Sequence, residues 1–569
     1  MFRDFYEFMF SYLNKKNRIY IYFFIPLTII SSFLEAVSVG LLIPYSTYLI
    51  EPNTILKDKS ILGDILIFFS NQFNIEILTV ITLVFLTITL ISSAVRTFLI
   101  WFKNQINYLL SVRVSKMIFR NILFSDYENF HKKTPSQYLS ILSSKTDTFS
   151  IKFVLPILTL ISNLIYIVII LIALLYFNWI ITSSFFLFGL FYISVLFLFR
   201  KKLLEYSFKI SNNLTSIISI VKSYINGFVE TKIYSLENLA LDTFTKKSDS
   251  FRKAMYKNQA LSETPRYIFE SLLIILGILV LNYFYTSFGG EYLLSLLPIL
   301  ITLAFATQKI LPSLQQIYGS WSSIIGSRDI VKEVLELLES KINFSSDYQL
   351  KHINNDLKLV LENYSLSFIK NKNKPINNII SKNDKVAIIG KTGSGKTSFF
   401  KSILGLINNY EGKISWYSKG DKLNFDEMVS NSGYVGQFPV FLEKNTYQNI
   451  TLDFSDNISK ESEIRVLYIL KNLGLGHIFK NNTDLHEIGI EEGKQTFSGG
   501  ELQRLAIARI IFLNKRINFI DEGTSGLDKK TEKKVIGFLF SELKDSMIFF
   551  ITHNEKIINH ANHIINFDE

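Results

Sequence analysis

A chain of 569 residues whose long Ile, Leu and Phe runs are confined to the first 320 is too long and too unevenly apolar for one hydrophobic core, so two parts with different surroundings are expected. It contains no cysteine, which excludes disulfides, thiolate metal sites and cysteine nucleophiles. The net charge of +11 comes without base-reading motifs, so it is assigned to basic loops beside a membrane and not to nucleic acid.

Residues 1–16 are aromatic and amphipathic (Phe2, Phe5, Tyr6, Met9, Phe10, Leu13), with no small-residue cleavage site before the next apolar run. Residues 1–18 are therefore expected to form an interfacial elbow helix, not a signal peptide. A bilayer span needs about 20 apolar residues as helix. Six segments qualify, at 19–49, 76–102, 153–177, 179–199, 267–288 and 291–315, inside a membrane domain of 19–325. Between the first two, Leu62, Ile65, Leu66, Phe69 and Phe73 share one helical face with Ser60 as N-cap, which reads as an amphipathic helix on the external surface or a lead-in to the second span.

Residues 103–150 carry Lys103, Arg113, Lys116, Arg120, Lys132, Lys133 and Lys145, and residues 200–266 open with Arg200, Lys201 and Lys202. The positive-inside rule makes both loops cytoplasmic, and with them both termini. Helical periodicity continues through these loops, so the spans are expected to extend beyond the bilayer. At their far ends the turn-rich stretches 124–137 and 224–237 offer a soluble motor a place to grip. Residues 326–355 read as a linker.

From 356 to 569 short β-branched runs alternate with amphipathic helices, the pattern of an α/β domain with a mainly parallel sheet. An apolar strand at 385–389 feeds Gly390, Lys391, Thr392, Gly393, Ser394, Gly395, Lys396, Thr397 and Ser398, after which a helix begins. This is a phosphate loop in its strand-loop-helix setting: glycines let N–H groups converge on phosphate, Lys396 reaches the β- and γ-phosphates, and the Thr397 hydroxyl is a magnesium ligand. Asp521 closes the apolar strand 517–520 and is placed to hold magnesium. Alternation along that strand is expected to turn Glu522 toward the γ-phosphate as general base. Ser498, Gly499 and Gly500 open the helix that begins at Glu501, a serine-capped, glycine-rich anion site.

Two phosphate-binding loops with one complete pocket resemble the ATP-binding cassette exporters, half-transporters with a type IV fold, over the whole chain. The resemblance implies a six-span α-helical transmembrane domain followed by an α/β P-loop cassette, with ATP and Mg2+ as cofactors. It matches residues 390–397 to the Walker A loop, residues 497–501 to the signature, Asp521 to the Walker B aspartate and Glu522 to the catalytic glutamate. Gln437 matches the Q-loop glutamine that senses magnesium, residues 525–528 the D-loop and His553 the switch histidine, while Phe368 falls where an aromatic stacks on adenine. Departures are Phe497 and Glu501 for the usual leucine and glutamine, and Gly523 and Gly526 for alanines. Each ATP in this family lies between two cassettes, so a homodimer is implied.

For the cargo, Arg96, Arg266 and Lys309 lie about 27 to 33 Å below the outer surface at 1.5 Å per residue, a basic belt suited to an anionic head group. Glu270 is placed to neutralise Arg266, and Arg96 to snorkel. Residues 31–44, 264–270 and 308–318 resemble the flippases of lipid-linked oligosaccharides in bacterial N-glycosylation. That resemblance implies a polyprenyl-pyrophosphate glycan moved across the bacterial inner membrane, in contact with membrane lipid, with the same three cations serving the pyrophosphate and Gln316 departing from a fourth. An exporter of peptides, other lipids or hydrophobic drugs would share every cassette motif.

Overall fold

The computed structural model describes residues 18–50, 72, 76–177, 179–288, 290–339, 356–366, 375–455, 459–490, 497–524, 526–552 and 554–568. The expected elbow helix and nearly all of the external amphipathic helix lie outside these residues. The chain divides into two compact units, one of Met1–Ser125 with Phe130–Asn343 and one of Asp126–Asn129 with Phe344–Glu569.

The first unit is helical. It comprises α1 (Arg18–Gly40), α2 (Leu42–Ile50), α3 (Ile77–Leu123), α4 (Pro135–Ser140), α5 (Thr146–Phe149), α6 (Leu155–Phe177), α7 (Trp179–Asn226), α8 (Phe228–Ile233), α9 (Glu237–Phe288), α10 (Gly290–Gly326) and α11 (Arg328–Glu339). Among the described residues, three helical stretches are long and apolar enough to cross a membrane: Arg18–Leu49, Ile77–Leu123 and Pro135–Leu175. The helices continue well past the apolar segments, because the polar residues that follow keep a buried stripe. On α3, Leu99, Phe102, Ile106, Leu110, Val114, Ile118 and Ile122 recur every three or four residues and pack with Ile21, Phe24, Phe149 and Ile157.

Thr134 starts the third long helical run with a capping box, its hydroxyl taking the Gln137 N–H while the Gln137 side chain takes the Thr134 N–H, and Pro135 occupies the first helical position. Two π turns, Ile141–Lys145 and Ser150–Val154, interrupt this run. Arg328–Glu339, at the start of the stretch expected to be a linker, is instead the helix α11. Its Ile330, Val331, Val334 and Leu338 are buried on one face, and Asn121 Nδ2 caps its end by donating to the Leu337 and Leu338 carbonyls. Lys145, 2% exposed, ties it further through a 2.6 Å ion pair to Glu333.

Among the described residues, the second unit holds three sheets. The phosphate loop belongs to a parallel five-stranded sheet in the order β11-β3-β10-β9-β6: β3 (Lys385–Ile389), β6 (Ser432–Val435), β9 (Ile517–Asp521), β10 (Met547–Ile551) and β11 (His563–Asn566). β9 and β10 are buried at every position, as continuous apolar strands covered on both faces must be. A second, antiparallel sheet, β2-β1-β4-β5, was not legible as a separate layer; its strands are β1 (Leu357–Leu366), β2 (Ile376–Ser381), β4 (Tyr410–Ser418) and β5 (Asp421–Lys422). The short pair β7 (Lys444–Asn445) and β8 (Gly489–Ile490) makes the third. Asp126–Asn129, four residues of the first turn-rich stretch, group with this unit, where the Glu128 carboxylate accepts from the Asn408 N–H at 3.3 Å.

Candidate functional site

β3 delivers the chain into the loop and α12 (Lys396–Ile403) carries it away. Gly393 (φ 84°) and Gly395 (φ 100°) occupy the left-handed region, which glycine enters without cost, and Gly395 is the N-cap of α12. A Cβ on Gly390 would sit 2.7 Å from Ser394 Oγ and 3.0 Å from Phe567 Cβ, so this position admits no side chain. Lys396 is 7% exposed and its Nζ donates to the Gly390 and Lys391 carbonyls at 2.5 and 2.9 Å. The Lys391 N–H is held by Asp568 at 2.8 Å. Ser394 Oγ is buried without a hydrogen-bond partner. An orphaned hydroxyl, a buried ammonium and a helix start turned into one loop form a cradle that fits a polyphosphate.

The Thr397 hydroxyl lies near the carboxyl of Asp521, which is 5% exposed at the end of β9. Burial raises the Asp521 carboxyl above the ordinary carboxylate range, partly opposed by the nearby Thr397 hydroxyl. One hydroxyl and one carboxylate make the all-oxygen donor set that suits a largely hydrated Mg2+. That ion, when bound, would supply positive charge to offset the negative charge of the phosphates.

Glu522 follows at φ 48°, so the chain leaves the strand in a left-handed turn. The expected strand alternation is therefore not what orients this carboxylate; the turn does, after its N–H makes a last ladder bond to the Ile551 carbonyl at 3.2 Å. Gln437 Nε2 donates to Glu522 Oε2 at 2.8 Å, which brings the expected magnesium-sensing and base residues together. Gly523 comes next because a Cβ there would lie 2.9 Å from both Ile520 Cγ2 and Val435 Cγ1: two branched side chains fill the space an alanine methyl would need.

Ser498 caps α13 (Gly499–Leu513) with a full capping box. The Glu501 carboxylate accepts from the Ser498 N–H at 2.7 Å and from its hydroxyl at 2.8 Å, and the first of these holds it below the ordinary carboxylate range. Phe497, 5% exposed, stacks on Phe479 with centroids 6.1 Å apart, which explains an aromatic where leucine is usual. A Cβ on Gly500 would meet the Gly526 carbonyl at 3.0 Å, and the Gly526 N–H donates to Gln503 Oε1 at 2.9 Å. The signature helix and the loop before Asp528 are thus packed as one piece, and Asp528 in turn caps α14 (Lys529–Glu542). Phe368 and His553 lie outside the described residues.

Of the three cations expected to form a belt, Arg96 is paired. Arg96 Nη1 lies 2.6 Å from both carboxylate oxygens of Glu35, which is 2% exposed, and its guanidinium sits over the Tyr166 ring at 5.0 Å. Arg96 neither snorkels nor stands as a free cation, because the buried carboxylate of α1 requires a counter-charge. Lys309 is partly buried on α10, and the Arg266 side chain is outside the described ones. Gln316 Oε1 accepts from Asn163 Nδ2 at 3.0 Å, and Lys103, 8% exposed, donates to Ser162 at 3.3 Å. Sequence reading missed Glu35, although an acid alone among the apolar residues 19–49 was the available signal.

Residues 373–525 match the model of the ABC transporter family, and residues 29–264 match that of the ABC transporter transmembrane region. Similar proteins include the lactococcin-G-processing and transport ATP-binding protein LagD of Lactococcus lactis subsp. lactis, 26% identical over 62% of this chain and 50% of that one. They also include the subtilin transport ATP-binding protein SpaT of Bacillus subtilis, 25% identical over 62% and 58%. The glutathione/L-cysteine transport system protein CydC of Haemophilus influenzae is 23% identical over 58% and 57%. The chain thus spans about half the length of such relatives. A solved structure of a bacterial Atm1-family ABC exporter with ATP bound superimposes with a TM-score of 0.76 over 96% of this chain and 94% of that one, at 13% identity, and so shares the fold.

Proposed function

We propose that this chain, an ABC exporter in its two domains and its fold, is a half-transporter that hydrolyses ATP as a homodimer to move cargo out across a bacterial inner membrane. The observation that carries the ATPase reading is the 2.8 Å bond of Gln437 to Glu522 beyond the ends of the neighbouring strands β6 and β9, with Thr397 at the start of α12 near Asp521. Glu522 takes a proton from water, Lys396 and the loop N–H groups hold phosphate, and Asp521 with Thr397 would hold Mg2+. The signature helix of a second copy closes each pocket, which accounts for an anion site with no phosphate loop of its own.

A peptide is the cargo this reading favours. Relatives named for lactococcin and subtilin transport support it. The lipid-linked glycan reading, with Arg96, Arg266 and Lys309 on the pyrophosphate, is weakened because Glu35 already neutralises Arg96. The test is ATPase activity of the purified protein in liposomes. Stimulation by cationic or apolar peptides, and none by polyprenyl-pyrophosphate glycan, is expected; the reverse pattern would replace peptide by glycan. Parental turnover by Glu522→Gln would refute the ATPase assignment itself.

A further inference from the structure

We infer that Glu532 is a positioning residue that keeps the chain carrying Glu522 and the chain carrying His553 in one register. The inference rests on the ATPase reading above. β9 and β10 run side by side with Asp521 opposite Ile551, and the Glu522 N–H to Ile551 carbonyl bond is their last rung. Beyond it the two chains separate into loops, and the Glu532 carboxylate reconnects them. Glu532 Oε1 accepts from Thr524 Oγ1 at 2.9 Å, and Glu532 Oε2 accepts from Asn554 Nδ2 at 2.6 Å.

Both ends of this link are themselves anchored. Thr524, two residues past Glu522, is 7% exposed, and the Asn554 N–H donates to the hydroxyl of Thr552, 8% exposed. Thr552 and Asn554 are the sequence neighbours of His553. The link is needed because Glu522 holds a left-handed conformation that a non-glycine residue keeps only when its surroundings over-determine it. Glu532 stands in the first turn of α14, four residues after the capping Asp528, so it also joins the two loops to the helix that follows the packed signature piece.

The geometry requires two acceptor or donor positions 2.6 and 2.9 Å from their partners and does not require a charge. A glutamine supplies the same pair, accepting from Asn554 through Oε1 and donating to the Thr524 hydroxyl through Nε2. Alanine supplies neither. A merely structural role, an acidic group favouring the helix start, would instead be lost equally in both variants.

The experiment measures kcat and KM for ATP and the thermal midpoint of the full-length protein in lipid nanodiscs. Glu532→Ala is expected to lower kcat by about 10- to 100-fold, the scale of a small misplacement of catalytic groups, with KM within about 3-fold of the parent. Glu532→Gln is expected to stay within about 3-fold of the parent in kcat, since both bonds survive. Thr524→Val and Asn554→Ala each reproduce part of the loss, and adding either to Glu532→Ala lowers kcat no further.

Glu532→Gln falling as far as Glu532→Ala, parental kcat in Glu532→Ala, or strictly additive losses would each overturn the inference. If Glu532→Ala does not fold, the Thr524→Val and Asn554→Ala pair carries the test by the same additivity criterion. An inactive Glu522→Gln beside a normal Glu532→Ala removes only this link; a normal Glu522→Gln removes the ATPase reading beneath it.

Discussion

Removing Arg96 should cost more through the carboxylate it leaves behind than through any contact of its own. Glu35 is 2% exposed and receives Arg96 Nη1 on both oxygens at 2.6 Å, so Arg96→Gln strands a buried acid. Opposite unit charges about 4 Å apart attract by about 4 kcal/mol at an effective dielectric constant near 20. Breaking one side of a buried pair costs about 3 to 5 kcal/mol in measured cases, which agrees. Replacing both charges by neutral hydrogen-bonding groups removes the desolvation cost along with the attraction, so Glu35→Gln/Arg96→Gln should recover most of the loss. The assay is the thermal midpoint in detergent for the parent, both single variants and the double. A large drop in Arg96→Gln that the double variant reverses is expected. An Arg96→Gln protein as stable as the parent, or a double variant no better than the worse single, would refute the reasoning. A variant of unchanged stability that had lost only cargo-stimulated ATPase would return Arg96 to the cargo site.

Three further outcomes follow from the cassette. Because burial raises the Asp521 carboxyl, the folded protein binds that proton more tightly than the unfolded chain does; this group's contribution to stability therefore falls as pH rises, and its cost is present in full above the raised value. Asp521→Asn should accordingly leave the nucleotide-free protein at least as thermally stable as the parent at neutral pH while abolishing magnesium-dependent turnover, and a lower midpoint would contradict the direction. In the parent, activity at limiting Mg2+ should fade at a higher pH than an ordinary aspartate would dictate, and extra Mg2+ should move that fall to lower pH. Glu501→Gln keeps an acceptor for the Ser498 N–H but removes a negative charge from an anion-binding helix start. In a Glu522→Gln background it should reduce the ATP needed for half-maximal dimer trapping by about 2- to 5-fold, a helix-end charge effect; an unchanged or higher requirement would count against the signature helix meeting phosphate.

The phosphate loop was legible because its chemistry is local: glycine spacing, one lysine and one hydroxyl, between a strand and a helix that are adjacent in sequence. Asp521 was legible for the same reason, as the polar end of an apolar strand. Glu522 was identified with the wrong geometry, since alternation describes a strand and the chain has already left it at φ 48°. What stayed hidden depends on partners distant in sequence. Glu35 lies 61 residues from Arg96, so neither residue's neighbourhood announces the pair. The departures from the family pattern divide along the same line. Gly523 is explained by Ile520 beside it and by Val435 far away, Gly526 by Gln503, and Phe497 by Phe479. Each of these three residues is fitted to a contact that lies outside its own motif. The site's chemistry therefore resides in short motifs, while the groups that fix its geometry, Glu532 among them, are set by tertiary contacts and become visible only when the strands that bear the motifs are placed side by side.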